Sequence, residues 1–359
     1  MTDLGTTSLH YSARPAISLD GDRDEGLEDG LMTLLVEDSV EGMVRLEACF
    51  GNWGTSGGDV GFLYFERDIL EFGRELTVEM GAGGAAGQVF SGRIMALEGR
   101  FPQSRPPELT VLAEDRFQDL RMTRRSRTFL DASFEDIASA IASDHGLGSE
   151  IDVDSPTFPA LAQLNQSDLA FLRQVAREID AEVWVQDTTL FAQARSRRSA
   201  EEVALTYGQG LKELQITADL ADQRTKLVVG GYDVAAKDGI EAVAEAGLLS
   251  GENQGETGPA VLEAAIGART DIVAHFQPAT REIAQAQAQA TFRRNARRFL
   301  SGEGVAEGNA RIKVGSSVRL RGCGKLFDGV YAVVRTRHLF DLAGGFRTEF
   351  RVERPWIGT

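Results

Sequence analysis

The sequence predicts a mixed, mainly β protein in which two β units flank a small α/β unit and a helical insertion interrupts the second β unit. Three observations carry this. Runs of about six to ten residues, bounded by Gly or Pro, recur at both ends of the chain with the rhythm of an antiparallel sheet or barrel. Two amphipathic helical stripes and a strand pair sit between them. One long Ala- and Gln-rich helix breaks the closing β region. Thirty-nine glycines against nine prolines in 359 residues fit many strand turns and bulges better than a Pro-rich linker protein.

Taken in order, residues 1–30 are polar and end in Asp20, Asp22, Asp24, Glu25, Glu28 and Asp29, relieved by Arg23; this acidic lead-in reads as a solvated loop. The first β unit spans 31–118. Its strands are Leu31 to Glu37, Gly42 to Phe50, Glu75 to Met80, Gln88 to Glu98 and Glu108 to Ala113, with residue classes alternating through Met43, Val44, Arg45, Leu46, Glu47 and Ala48. The α/β unit spans 119–202. Ser133 and Asp136 form a capping box ahead of Ile137, Ala138, Ile141 and Ala142, and Gly146 and Gly148 stop that helix. A second helix opens at Ser167 with the stripe Leu169, Phe171, Leu172, Val175, Ala176 and Ile179. Ala181 to Gln186 and Thr188 to Ala192 then read as a hairpin turning near Asp187. The second β unit is expected from 203–234 and 309–353, around an insertion at 235–308. Within the insertion, 235–280 is weakly patterned. Arg281 to Leu300 alternates Ala with Gln, a period of two, but both are strong helix formers and poor strand residues, so propensity decides for a helix. Its closing Arg293, Arg294, Arg297 and Arg298 suit a helix C-terminus. Residues 354–359 form a C-terminal tail.

Charge and composition exclude several classes. With 38 Lys and Arg against 54 Asp and Glu, the formal charge is −16, which argues against stable nucleic-acid binding, since phosphate neutralisation needs a basic face. An apolar fraction of 42% supports packed cores. Cys49 and Cys323 alone make neither a disulfide framework nor a cysteine zinc site. The first residues lack the basic start and apolar core of a signal peptide, and no run of about 20 apolar residues predicts a membrane helix. Synthesis in a reducing cytoplasm, without membrane insertion, is the expectation.

Short motifs resolve to bland readings. Gly81, Gly83 and Ala86 match a loose dinucleotide fingerprint, but a strand follows where a helix N-terminus is needed, so the segment reads as a hairpin loop. Gly54, Ser56 and Gly58 match the nucleophile-elbow pattern, which needs a helix directly after the serine; Gly57, Gly58, Asp59 and Gly61 are poor helix material. A mobile loop between strands is the reading, and Trp53 on it is a candidate partner contact. His10, His145, His275 and His338 lie too far apart in pattern to suggest a metal site. Asn165 and Ser167 form a glycosylation sequon better read as helix capping. No catalytic constellation and no cofactor is expected. Arg121, Arg124, Arg125 and Arg127 make a compact basic segment in an acidic chain. It reads either as a strand edge defended by charge or as a contact with an acidic neighbour, such as the lead-in of another copy.

Two ordered segments carry a family resemblance. Asn165, Ser167, Asp168, Phe171, Leu172, Val175, Ala176 and Glu178 follow the spacing of a helix-then-strand block. Gly315, Gly322-Cys323-Gly324, Gly329 to Val334, His338 and Gly345 to Phe350 follow the spacing of a closing barrel. Together they resemble the phage late control gene D and VgrG baseplate-hub family, over most of residues 30–353. The resemblance implies two tube-like β-barrel domains per chain in a homotrimeric hub. Six barrels would then meet a hexameric inner tube protein on one side and a threefold spike on the other, with baseplate wedge proteins around them. It implies assembly in a bacterial cytoplasm into the baseplate of a phage tail or contractile injection particle. No spike module follows Arg354, so a separate spike protein is expected, with Trp356 in a tail reaching toward it. The acidic stretch from Asp20 to Asp29 is the candidate for a tube-facing or lumenal position. The competing readings are a tail-associated cell-wall hydrolase and a monomeric β-rich adhesin.

Overall fold

The computed structural model describes residues 14–56, 59–198, 201–234, 236–252 and 254–358. Its first unit contains β1 (Ala16–Leu19), β2 (Asp22–Arg23), α1 (Glu25–Gly30), β3 (Leu31–Ser39), β4 (Arg45–Gly51), β5 (Gly54–Ser56), β6 (Asp59–Gly61), β7 (Glu75–Met80), β8 (Gly87–Arg100) and β9 (Glu108–Glu114). Six strands run side by side in the order β1-β7-β8-β9-β4-β3. β4 shows why they form: Leu46, Ala48 and Phe50 point into the core while Arg45, Glu47 and Cys49 point out. Burying a side chain the size of Phe50 or Phe90 contributes about 2–3 kcal/mol.

Residues 1–13 of the acidic lead-in lie outside the described residues, and its acidic end, Asp20 to Asp29, is not a solvated loop. Asp20 accepts from the Glu75 N–H and from Arg74, and Asp24 caps α1 by accepting from the Leu27 N–H at 3.0 Å. Glu28, only 8% exposed, accepts from the Ile17 N–H and takes both arms of Arg23. The run reads as a solvated face by composition, but each of these three carboxylates is satisfied by a backbone N–H, which is how an acid earns a place in structure.

The middle unit contains α2 (Phe117–Arg121), β10 (Arg124–Ala132), α3 (Phe134–Asp144), β11 (Gly148–Asp152), β12 (Phe158–Ser167), α4 (Asp168–Glu178), β13 (Ala181–Gln186) and β14 (Thr189–Ala194). The Ser133–Asp136 capping box is present in both directions. β10 and β12 form an antiparallel ribbon, and β11-β14-β13 a small mixed sheet. The helix stripes Ile137, Ala138, Ile141 and Leu169, Leu172, Val175 share one core with Val183, Leu190 and Ala192.

The last stretch contains β15 (Glu202–Tyr207), β16 (Gly210–Ala218), β17 (Lys226–Asp233), β18 (Asp238–Glu245), β19 (Glu256–Thr257), α5 (Gly258–Ile266), β20 (Thr270–Val273), α6 (Arg281–Arg297), β21 (Leu300–Glu307), β22 (Ser317–Arg321), β23 (Gly329–Asp341), β24 (Gly345–Arg354) and β25 (Trp356–Ile357). β23-β22-β15-β16-β21-β24 closes on itself through the β23–β24 pairing, giving a six-stranded barrel without free edges. Membership differs from expectation at two places. β17, expected in the barrel, instead forms the sheet β18-β17-β20 of the insertion, while β21, expected in the insertion, is a barrel strand.

The period-two helix has a packing reason. Ala284, Ala288, Phe292 and Ala296 of α6 lie on the insertion sheet against Leu227, Val229 and Ala242. On other sides Ile283 enters the core of the middle unit, and Gln287 donates to Glu178 of α4. Alanine lets α6 approach two neighbours at once, and glutamine supplies amides that bond where the helix is covered.

The two β units are welded. β23 pairs with β22 through Gly329–Ala332, passes an irregularity between Val333 and Arg335, then pairs with β3 through Arg335–Asp341. Phe340 and Phe346, at the far end of the β23–β24 hairpin, enter the core of the first unit. A second contact comes from the β7–β8 turn, where the Ala85 carbonyl accepts from the Ala310 N–H at 3.0 Å. That turn needs Gly81: its φ is +95°, and a Cβ there would stand 2.4 Å from the Ala85 carbonyl oxygen.

Candidate partner interface

At one end of the first unit, Trp53, Phe62, Phe65 and Phe101 form a connected aromatic group. Trp53 meets Phe62 edge-on at 5.4 Å, Phe62 meets Phe65 at 5.0 Å, and Phe65 meets Phe101 at 5.1 Å. Trp53 is 49% exposed, Phe62 45% and Phe101 66%. The loop presenting them is not mobile, as expected from its glycines, but pinned. Buried Asn52 donates its N–H to the Pro107 carbonyl, and its side-chain oxygen accepts from the Leu63 and Tyr64 N–H groups at 2.8 and 2.7 Å. Neighbouring β5 and β6 form a short hairpin, so the Ser56 motif is strand and not an elbow; Gly57 and Gly58 lie outside the described residues. Aromatic surface held rigidly in solvent is the usual mark of a contact site. Sequence singles out Trp53 as a candidate but not Phe62 and Phe101, which lie 9 and 48 residues further along and are gathered beside it only by the fold.

The arginine segment is largely committed within its own chain. Arg121 pairs with Glu114 at 2.5 Å. Arg125 and Arg127 both reach Asp144, at 2.8 and 2.6 Å, and fully buried Asp168, at 3.3 and 2.9 Å. Arg124 donates to the Asn165 carbonyl at 3.3 Å. Asp168 also accepts from Gln163 and bonds His145 Nε2 at 2.8 Å. Burial alone would raise its pKa, but the hydrogen bonds from Gln163 and His145 and the charges of Arg127 and Arg125 win and hold it below the usual carboxylate range. Within the predicted basic patch, Arg125 and Arg127 therefore form an ion-pair network locking β10, β12, α3 and α4. Spacing in β10 revealed the charges but not their partners, which come from 17 to 43 residues away.

Trp356 is not in a free tail. It is 6% exposed, and β25 pairs with β19 of the insertion. The guanidinium of buried Arg354 lies over its ring at 4.0 Å and over the Tyr331 ring at 4.2 Å. Arg354 donates to the Asp328 and Leu326 carbonyls. Burial lowers its pKa, so the cation is held by two rings and two carbonyls in place of a carboxylate.

The outward face of the joined sheet carries a row that sequence reading missed. Glu349, Arg337, Glu37, Arg45, Glu114, Arg93 and Glu75 stand directly opposite one another on β24, β23, β3, β4, β9, β8 and β7. Signs alternate along all seven strands and across the weld, with Arg337–Glu349 closed at 2.7 Å. Opposite charges facing each other favour this register over a slip.

Among the described residues, no group of three or more His, Cys, Asp or Glu side chains could hold a metal. His338 is buried and bonds Thr348 Oγ1 at 3.2 Å, His275 lies against Phe276, and His10 lies outside the described residues. Cys49 and Cys323 are free thiols, and among the described residues no helix is long and apolar enough to cross a membrane.

A family model described as the Alg8 N-terminal domain matches residues 59–341. No curated protein matches the chain. Several solved structures share its fold. The 43 kDa tail protein of prophage MuSo2 from Shewanella oneidensis superposes with a TM-score of 0.70 at 15% identity, over 95% of this chain and 98% of that one. The tail protein from Neisseria meningitidis MC58 gives 0.70 at 12% identity, over 96% and 98%. The E. coli c3393 protein is described as a type VI secretion component similar to the T4 tail proteins gp27 and gp5. It gives 0.57 at 9% identity, over 90% of this chain and 73% of that one.

Proposed function

The chain belongs to the Alg8 N-terminal domain family, and we propose that it is a structural baseplate hub of a contractile phage tail or injection system, of the late control gene D and VgrG kind. One observation carries this reading: two β units in one chain are fused into a continuous sheet by the β3–β23 pairing. Two β units per chain, each with six strands side by side and the second closed into a barrel, would turn three chains into a ring of six, which matches a sixfold inner tube on one side and a threefold spike on the other. The tail proteins that share this fold along nearly their whole length support the same reading. Catalysis has no part in it; the work is assembly and the transmission of force through a rigid collar. Closing the second barrel removes its sheet edges, and the β3–β23 ladder carries the sheet on into the first unit.

In this reading the Trp53, Phe62 and Phe101 surface seats on the tube or spike protein. Trp356 instead ties the C-terminal strand to the insertion. The test is native mass by light scattering, for the chain alone and co-expressed with its candidate tube and spike proteins. A mass of three chains, or a complex holding three, is expected. A chain that stays monomeric with both partners present would return the hydrolase and adhesin readings.

A further inference from the structure

Where the first unit, the middle unit, the insertion and the second barrel converge lies an open cleft of about 460 Å³ lined by seven guanidiniums and five carboxylates. A net positive cleft is out of character for a chain of charge −16. Internal pairing does not account for it. Arg297 is held by Asp180 and Glu252, Arg195 by Glu353, and Arg335 by Glu37. Among the described residues Arg177, Arg294 and Arg351 have no ion pair, and Arg298 only approaches Glu353 at 3.9 Å, a carboxylate already taken by Arg195 at 2.9 Å. Arg351 stands directly opposite Arg335 on β23 and Glu303 on β21, and no ion pair with Glu303 closes. Burial lowers the pKa of Arg294, and the charges of Arg298 and Arg177 push the same way.

We propose that this cleft is a self-association site that receives the acidic edge of the insertion, strand β18, from a second copy of the chain. β18 is an outer strand of its sheet, with Asp238, Glu241 and Glu245 exposed. Within one chain these carboxylates meet no guanidinium of the cleft; Glu245 lies 3.8 Å from Lys226. Isolated carboxylates on a strand suit the cleft better than a polyphosphate or nucleic acid, because Glu37 and Glu41 on its rim would repel a dense anion. A cleft on one face that takes a strand from elsewhere on the molecule makes a head-to-tail contact, the kind that closes a ring. The inference rests on the hub reading and names the surfaces through which its copies meet.

The experiment is a charge swap read by light scattering across a concentration series at low and high salt. Arg177→Glu with Arg351→Glu reverses two exposed, unpaired cleft residues and is expected to weaken self-association by about 10–100-fold. Adding Asp238→Arg and Glu241→Arg to the same chain is expected to restore it. Circular dichroism melting of each variant separates lost association from lost fold; a variant that fails to fold is replaced by Arg298→Glu, which is exposed. Association unchanged by cleft reversal overturns the site and leaves the hub reading standing. Weakening without restoration overturns β18 as the occupant, as does binding of an oligonucleotide that depends on Arg177 and Arg351. A wild-type chain that is monomeric alone and with its partners overturns both the site and the hub.

Discussion

Arg335 of the second barrel and Glu37 of the first β unit pair at 2.5 Å across the weld between the two sheets. The contact marks the join but does not hold it. Both side chains are well exposed, 44% and 38%, so solvent screens them and the pair contributes less than about 1 kcal/mol. The strength lies beneath, in the β3–β23 ladder and in Phe340 and Phe346 seated in the first unit's core. Glu37→Ala is therefore expected to cost less than about 1 kcal/mol in urea unfolding, an effect that fades in high salt, while Phe340→Ala costs about 3–5 kcal/mol. The opposite ranking would mean the weld is electrostatic.

His338 makes the same join sensitive to acid. It is buried between β3 and β24, opposite Val36 and Thr348, and burial pushes its pKa down to about 4 from 6.5. Protonation is thus harder in the folded chain than in the unfolded one. The stabilisation is complete above the unfolded value and drains away as pH falls from about 6.5 to 4, by roughly 3 kcal/mol in total. Unfolding midpoints measured from pH 7.5 to 4 are expected to fall more steeply in the wild type than in His338→Gln. Parallel curves would remove the histidine from this role.

The sequence showed most of the architecture and little of the contact surface, for physical reasons. Alternation exposed the strands, and the Ser133–Asp136 box and the α4 stripe exposed the helices, because these signals sit within one element. β17 lies in the insertion sheet and β21 in the barrel, which pattern does not reveal because it is the same whichever sheet a strand joins. The Asp20–Asp29 run looked solvated because its partners, the N–H groups of Glu75, Leu27 and Ile17, are backbone groups that composition does not reveal. Trp53 stands out as an aromatic on a glycine-rich loop, whereas the arginines at 121–127 find partners within the chain and Trp356 is buried, through residues distant in sequence.

Asp168 is the centre of the middle unit's polar network, with Arg125, Arg127, His145 and Gln163 all directed at one fully buried carboxylate. Asp168→Asn keeps the shape and removes the charge, leaving two guanidiniums facing a neutral amide. The expected cost is about 3 kcal/mol, near the low end for a broken buried pair because both arginines are partly exposed. Its folded pKa is lowered, so this stabilisation is present above the unfolded carboxylate value and is lost as pH falls through the folded one. Chemical unfolding at pH 7 and at pH 3 checks both points: the gap between wild type and variant should narrow at the lower pH.

Trp53 and Phe101 separate recognition from folding. Each exposes about half of its surface or more, and neither belongs to the core of the first unit, which is built from Phe50, Phe90 and the aliphatic side chains around them. The double variant Trp53→Ala, Phe101→Ala is therefore expected to melt within a few degrees of the wild type, since exposed substitutions change stability little. If this end of the molecule seats on the tube or spike protein, the same variant should lose at least tenfold in affinity for that partner, because exposed aromatic anchors dominate interface energetics. Co-purification quantified against wild type, with native mass measured on the same samples, decides it. Partner capture at wild-type strength would free this surface from the assembly, whereas lost capture with an intact fold would fix which end of the hub faces its neighbour.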